Sequence, residues 1–325
     1  MSAAAGIDDV RSAARRLAGI AVETPLLRHP DLDAAVGGTV LLKLENLQTT
    51  GSFKIRGAYN LMSRLTPQQA EAGIVAWSSG NHAQGVAAAG AMLGIRTAVV
   101  MPEDAPKAKI ARTRRFGGEA ILYDRYTGDR EVIAKALAAE RGAETVPSYD
   151  HPHIIAGQGT VGLELMRQAA EMSLVPDQVL IPCSGGGLTA GCAIAIKDAS
   201  PLTGVHPVEP AGFDDTARSL LSGRREINAS SSRSICDALQ VATPGNLTFE
   251  LNRHLLGDGL VVTDAEVRAA MRFAFLNLKL VVEPGGAAAL AALLSGKLET
   301  RGKITAAIVS GGNVDTELFA EIQAG

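Results

Sequence analysis

Apolar positions along this chain fall into two alternating rhythms. Short, unbroken apolar runs are each followed by a longer stretch in which apolar residues recur at helical spacing. The spacing predicts a first helix over 8–20, with Val10, Ala13, Leu17 and Ile20 on one face, ended by Thr24-Pro25-Leu26-Leu27. Val40-Leu41-Leu42-Lys43-Leu44-Glu45 reads as a strand, and 53–65 as a helix beginning at or near Lys54. Strands over 73–77, 97–101 and 120–123 then alternate with helices over 81–93, 105–116 and 129–141. After Pro147-Ser148-Tyr149-Asp150 the cadence resumes with a helix over 159–172, a strand over 178–182, a helix over 188–198 and a strand over 204–208. A strand-like 260–262, helices over 264–278 and 284–294, and a strand over 304–309 complete it.

Strands that are continuous apolar runs, alternating with helices, indicate parallel sheets covered on both faces, hence the α/β class. Two α/β units are expected, with linkers near 67–73 and 146–151, and there is no internal repeat. In such folds ligands lie at the carboxyl ends of strands, where glycine loops feed helix N-termini.

Composition narrows the function. Of 325 residues, 46% are apolar and 20% charged, the balance of a globular chain. Thirty-one basic residues against 34 acidic ones give a formal charge of −3, and aromatics are only 4%, so neither a nucleic-acid surface nor a base-stacking platform is expected. No apolar run approaches the roughly 18 residues that span a bilayer. Asp8 and Asp9 near the start fit neither a secretory signal nor a transit peptide. Cys183, Cys192 and Cys236 form no CxxC pair and read as buried small side chains in a reducing, cytoplasmic setting.

Three polar glycine loops follow strands. Cys183-Ser184-Gly185-Gly186-Gly187-Leu188-Thr189 opens a helix, so that backbone N–H groups and the helix N-terminus can converge on a phosphate. It has neither Walker nor GxGxxG spacing, and a tight strand-to-helix turn is the alternative to an anion site. Trp77-Ser78-Ser79-Gly80-Asn81-His82 offers amides and hydroxyls to a carboxylate or an aromatic oxygen; an N-cap explains one of these residues but not four. His82 is either a base or a satisfied structural histidine. Val309-Ser310-Gly311-Gly312-Asn313 is the third loop.

With Gly51-Ser52-Phe53-Lys54-Ile55-Arg56-Gly57 placed ahead of them, these loops form an ordered set. The set resembles that of the fold-type II pyridoxal-phosphate enzymes, in the serine/threonine dehydratase, serine racemase and 3-hydroxyaspartate ammonia-lyase group. The likeness runs from Thr24-Pro25-Leu26 to Asn313. Ser79-Gly80-Asn81-His82-Ala83 departs from the Ser-Gly-Asn-Thr-Gly loop of the sulfhydrylase relatives, which favours the dehydratase side.

The resemblance implies a two-domain fold like the tryptophan synthase β subunit, with a large cofactor-binding domain over 1–72 and 149–325 and a small mobile domain over 73–148. Lys54 is expected to hold the aldehyde of pyridoxal phosphate covalently and to act as base, with Phe53 against the ring. Ser184, Gly185, Gly186, Gly187 and Leu188 are expected to hold the phosphate, Asn81 the ring hydroxyl and Ser310 the ring nitrogen, with Glu283 nearby. A neutral serine there leaves the ring a weaker electron sink, which favours β-elimination over transamination. Ser79 is expected on the substrate face opposite Lys54, and the amides of Ser79, Gly80, Asn81 and His82 on the substrate carboxylate. Arg130 is expected to clamp a second carboxylate, with Arg125 as a weaker rival, although solvation alone also explains an arginine at a helix start. Glu209, Asp215 and the Phe213 carbonyl resemble a Mg²⁺ (or Ca²⁺ or Mn²⁺) site of the racemase-like members.

The activity so implied is ammonia-lyase (dehydratase) action on L-threonine, L-serine or 3-hydroxyaspartate in a cytoplasmic homodimer without nucleic-acid or membrane partners. The chain stops at Gly325, so the regulatory domain of the isoleucine-pathway dehydratases is expected to be lacking. An amino-acid racemase with side elimination is the alternative, and a non-catalytic metabolite-binding module a remote one.

Overall fold

Strand β2 (Thr39–Leu44) shows why the parallel arrangement follows from the sequence, because all but its first residue are buried. β7 (Gln178–Pro182) is buried throughout, and so is all but the first residue of β10 (Ile304–Val309). Strands with no solvent face must be covered on both sides.

The computed structural model describes residues 5–78, 80–105, 107–124 and 127–325. Before β2 come α1 (Ile7–Leu17), β1 (Leu26–Leu27) and α2 (Pro30–Val36). After it come α3 (Lys54–Met62), α4 (Pro67–Ala72), β3 (Ile74–Trp77), α5 (Asn81–Leu93), β4 (Thr97–Pro102), α6 (Lys107–Arg115), β5 (Glu119–Tyr123), α7 (Arg130–Arg141) and β6 (Glu144–Thr145). α8 (Pro152–Glu171) leads to β7, α9 (Gly187–Ala199), β8 (Gly204–Pro210), α10 (Asp215–Ser222), α11 (Asn246–Leu255) and β9 (Leu260–Val262). The chain closes with α12 (Asp264–Leu276), α13 (Pro284–Leu294), β10 and α14 (Thr316–Ala324).

Two sheets result. The larger has the order β1-β2-β10-β7-β8-β9, parallel except for β1; the smaller has the order β5-β4-β3-β6 and is wholly parallel. Because β10 lies between β2 and β7, the loops leaving these three strands emerge side by side. Apolar cores fill both faces of the larger sheet, with the alanine-rich α13 on one side and α8 and α9 on the other. Among the described residues no helix is long and apolar enough to cross a membrane.

Helix α8 starts at Pro152, nearly two turns earlier than the spacing predicts. Gly157, just ahead of the predicted start, and Gly159 and Gly162 within the helix are weak helix formers that serve here as packing devices. A Cβ on Gly157 would lie 2.6 Å from the Arg56 carbonyl oxygen, and one on Gly159 would lie 2.7 Å from that of Gly191, so α8 touches α3 and α9 backbone to backbone. α4 occupies the expected first linker, and α2, α10, α11 and α14 fall in stretches without a clear periodic signal.

Between α3, α8 and β2 lies a buried charged cluster. Arg56 donates to both Glu45 carboxylate oxygens (2.8 Å each) and to Glu164 (2.6 and 2.9 Å), while Lys43 donates to Glu164 and to the Thr24 carbonyl oxygen (2.7 Å each). Its two cations face two carboxylates, so the cluster is neutral, and it fixes α3 two residues beyond Lys54.

Candidate active site

The adjacent loops enclose a cavity of about 350 Å³ lined by Phe53, Lys54, Gly80, Asn81, His82, Arg130, Ser184, Gly185, Gly186, Gly187, Leu188, Glu283 and Ser310. These are the residues singled out in the sequence, apart from Ser79 and the residues expected to ligate a cation. Ser79 and Arg125 lie outside the described residues. Backbone bonds tie the lysine loop to the last glycine loop: Phe53 N donates to Ser310 O (3.3 Å) and Gly312 N to Gly51 O (2.9 Å).

Lys54 is the first residue of α3, and its Nζ donates to the Ser148 carbonyl oxygen at 2.9 Å. Nζ also lies 5.2 Å from the centroid of the Phe53 ring. Burial pushes the amine down to about 8, against the opposing pull of the Glu283 carboxylate. A lysine so lowered has a populated neutral form near neutral pH, which is what attack on an aldehyde or removal of a proton requires.

In the triglycine loop Gly186 has φ +89° and caps α9. Thr248 Oγ1 (2.6 Å) and Gly245 N (3.2 Å) donate to Gly185 O, and Asn252 Nδ2 donates to Gly186 O (3.3 Å). α11 thus gathers the carbonyls, and peptide planarity turns the Gly186 and Gly187 N–H groups the other way. Tyr149 closes over the loop, its ring standing where any Cβ on Gly185 would fall, at 2.4 Å.

Asn81 opens α5, is 8% exposed, and donates from Nδ2 to Glu283 Oε1 at 2.5 Å. Burial raises the Glu283 carboxyl to about 7, with the nearby Asp237 charge adding to the effect. His82 Nε2 lies 2.9 Å from the Val146 carbonyl oxygen, which can only accept, so Nε2 carries the hydrogen. Burial and the Lys54 charge push this imidazole down to about 3. His82 is therefore the satisfied neutral histidine of the two readings. Arg130 is exposed at the cavity mouth, at the start of α7.

Glu209, Phe213 and Asp215 do not line this cavity. The Glu209 carboxylate accepts from Thr216 N (3.0 Å) and Ala217 N (2.8 Å) at the start of α10. Asp215 Oδ2 is buried and has no hydrogen-bond partner. Burial raises Glu209 to about 8, with the Asp215 charge second, and raises Asp215 to about 6. An orphaned carboxylate oxygen beside a second buried carboxylate is a donor set that suits a hard cation. Among the described residues no cluster of three or more His, Cys, Asp or Glu side chains could hold a metal, so any cation here depends on backbone oxygen or water as well.

Sequence reasoning left Tyr149, Asp150, Thr248, Asn252 and the cavity-lining Lys109 unread. Asp150 caps α11 through Asn246, Leu247 and Thr248 N–H groups (2.9, 2.9 and 3.1 Å), so it supports the helix that gathers the glycine-loop carbonyls. A linker-like Pro-Ser-Tyr-Asp and isolated polar residues carry no periodic or motif signal.

A lysine of lowered basicity beside an anion cradle, at the ends of parallel strands, defines a class. The chain belongs to the pyridoxal-phosphate-dependent enzymes, whose family model ("Pyridoxal-phosphate dependent enzyme") matches residues 18–311. It is 44% identical, over 98% of both chains, to the L-threo-3-hydroxyaspartate ammonia-lyase of a Pseudomonas species. It is 41% identical to the catabolic L-threonine dehydratase of Escherichia coli K12, over 97% of this chain and 95% of that one. The structure of maize serine racemase superposes with a TM-score of 0.92 at 38% identity, covering 98% of this chain and 97% of the other. The α/β parallel-sheet class and the fold-type II likeness read from the sequence are those found.

Proposed function

We propose that the chain is an ammonia-lyase that converts a β-hydroxy amino acid to a 2-oxo acid and ammonia, with 3-hydroxyaspartate preferred over L-threonine and L-serine. The observation that carries the reading is the Lys54 amine, held at 2.9 Å by a backbone carbonyl and lowered to about 8 in a cavity bordered by the triglycine loop. The fit to a phosphorylated aldehyde rests on glycines that leave no room for a side chain and on Tyr149 closing over them.

Lys54 takes the proton from the substrate Cα, and the β-hydroxyl departs as water. The bound cofactor supplies electron withdrawal from Cα. Hydrolysis of the released enamine returns one water and yields oxo acid and ammonia. Gly80, Asn81 and His82 N–H groups at the start of α5 bind the α-carboxylate, where the helix N-terminus favours negative charge. His82, being neutral, shapes this pocket and does not exchange a proton. Ser310 serves as the neutral partner of the ring nitrogen, and Ser79 faces the substrate from the side opposite Lys54. The preference for a second carboxylate is supported by Arg130, exposed on the cavity wall. It is supported too by the likeness to the hydroxyaspartate enzyme.

A divalent cation, Mg²⁺ or else Ca²⁺ or Mn²⁺, is assigned to Glu209, Asp215 and the Phe213 carbonyl. The working form is a homodimer, tested by its sedimentation mass. The residues over 73–148 form a small unit that moves against the rest.

Product analysis with L-threo-3-hydroxyaspartate, L-threonine and L-serine tests the reading. Oxo acid is expected from all three, with the highest kcat/KM for the first. Accumulation of the D-enantiomer as the main product would replace elimination by racemisation, the second reading that the likeness to maize serine racemase supports. Absence of any visible absorbance band after reconstitution, in wild type as in Lys54→Ala, would leave only a binding module.

A further inference from the structure

Asn81 is itself held, and the group that ultimately orients it comes from across the cleft. Arg112 on α6 donates from Nη1 to Asn313 Oδ1 at 3.0 Å. Asn313 Nδ2 donates to Asn81 Oδ1 (2.8 Å) and to the Thr50 carbonyl oxygen (2.8 Å), and Asn81 Nδ2 donates to Glu283 Oε1 (2.5 Å). Every donor in this string points the same way, from a guanidinium that can only donate to a carboxylate. Such a head-to-tail series fixes the orientation of both amides, and each bond polarises the next.

Glycines clear a path for it. Gly51 has φ +71°, and a Cβ there would fall 2.5 Å from Asn313 Oδ1; a Cβ on Gly311 would fall 2.1 Å from Glu283 Oε1. The string also spans the two sheets' surroundings. α6 follows β4 of the smaller sheet, whereas Asn313 follows β10 and Glu283 opens α13 against the larger one. Three residues from Arg112, on the same face of α6, Lys109 forms an ion pair with Asp237, so the helix is docked at two points.

We propose that Arg112 is a positioning residue for the cofactor site: through Asn313 it sets which end of the Asn81 amide faces Glu283, so the site is fully formed only while α6 is docked. The inference rests on the family's cofactor and not on the choice of substrate.

The experiment uses the full chain, stripped of cofactor and titrated with pyridoxal phosphate, as Arg112→Met, Arg112→Lys, Asn313→Ala and the Arg112→Met/Asn313→Ala double variant. Cofactor dissociation constants are read from absorbance, together with the pH at which the bound-cofactor spectrum changes. Melting of the cofactor-free forms is followed in parallel. Losing one charge-assisted hydrogen bond is expected to raise the dissociation constant about tenfold in Arg112→Met. That variant should also move the spectral transition, and Arg112→Lys should recover most of both. In the Asn313→Ala background the same change is expected to cost less than about twofold, because the string is already cut. Unchanged melting of the cofactor-free Arg112→Met completes the expected pattern. The proposal is overturned if Arg112→Met binds the cofactor with wild-type affinity and spectrum, or if its effect is the same with and without Asn313. It is also overturned if Arg112→Met lowers cofactor-free melting by as much as it weakens binding. Should Arg112→Met be insoluble, Arg112→Gln takes its place under the same criteria.

Discussion

At Lys54, burial and the Glu283 carboxylate act on one amine in opposite senses, and burial wins, leaving it near 8 and not at its ordinary value of 10.5. The neutral amine is the reactive form, so the rate at which cofactor-free protein takes up pyridoxal phosphate should rise with pH and reach half its maximum near 8. Removing the opposing charge in Glu283→Gln should move that midpoint lower. A midpoint near 10 in wild type would contradict the assignment. His82 gives a second test. Its folded value of about 3 lies below the ordinary 6.5, so the fold favours the neutral ring. Stability from this residue is complete above about pH 6.5 and is lost as pH falls towards 3, with a slope near 1.4 kcal/mol per pH unit. Denaturant titrations at pH 6, 5 and 4 should show this slope in wild type and a flatter one in His82→Gln.

Among the elements, α3 carries the reactive lysine and is held by contacts that leave little freedom. Gly157→Ala would place a Cβ 2.6 Å from both the Arg56 carbonyl oxygen and Gly57 Cα, which are backbone atoms that cannot swing away. A loss of about 1–3 kcal/mol is expected by chemical denaturation, with a matching fall in cofactor affinity as α3 shifts. Arg56→Met should cost more, about 3–5 kcal/mol, because Glu45 is completely buried and would lose its counter-charge. The strands around these helices were legible, since uninterrupted apolar runs such as Val40–Leu42 and Val179–Ile181 have few alternatives. The glycine loops were legible through their order along the chain. The start of α8 was not, because Gly157, just ahead of the predicted start, favours contact at the expense of helix propensity. Thr248 and Asn252 were hidden for another reason: they act on the triglycine loop from more than sixty positions away, through bonds that no local pattern encodes.

For the whole molecule, the adjacency of β2, β10 and β7 brings the lysine loop, the Ser310 loop and the triglycine loop together. That strand order could not be read from the sequence. The smaller sheet supplies the Asn81 loop, so the site is shared between the two sheets. The buried pair Glu209 and Asp215 lies outside the cavity and is expected to act on stability. Adding Mg²⁺ should raise the melting temperature of the wild type by a few degrees, as any ligand selective for the folded state does. Asp215→Asn should abolish that rise while leaving the Lys54 absorbance band in place.

The segment that returns from the smaller sheet holds the Lys54 amine by a main-chain oxygen, that of Ser148. Genetics is blind to such a contact. Replacing Ser148 by alanine leaves the oxygen that accepts from the amine in place, so a side-chain scan does not remove this bond. Chemical synthesis can see it. Incorporating the α-hydroxy analogue of tyrosine at position 149 turns the preceding amide into an ester, whose carbonyl is a poorer acceptor, and changes the hold on Lys54 while leaving every side chain in place.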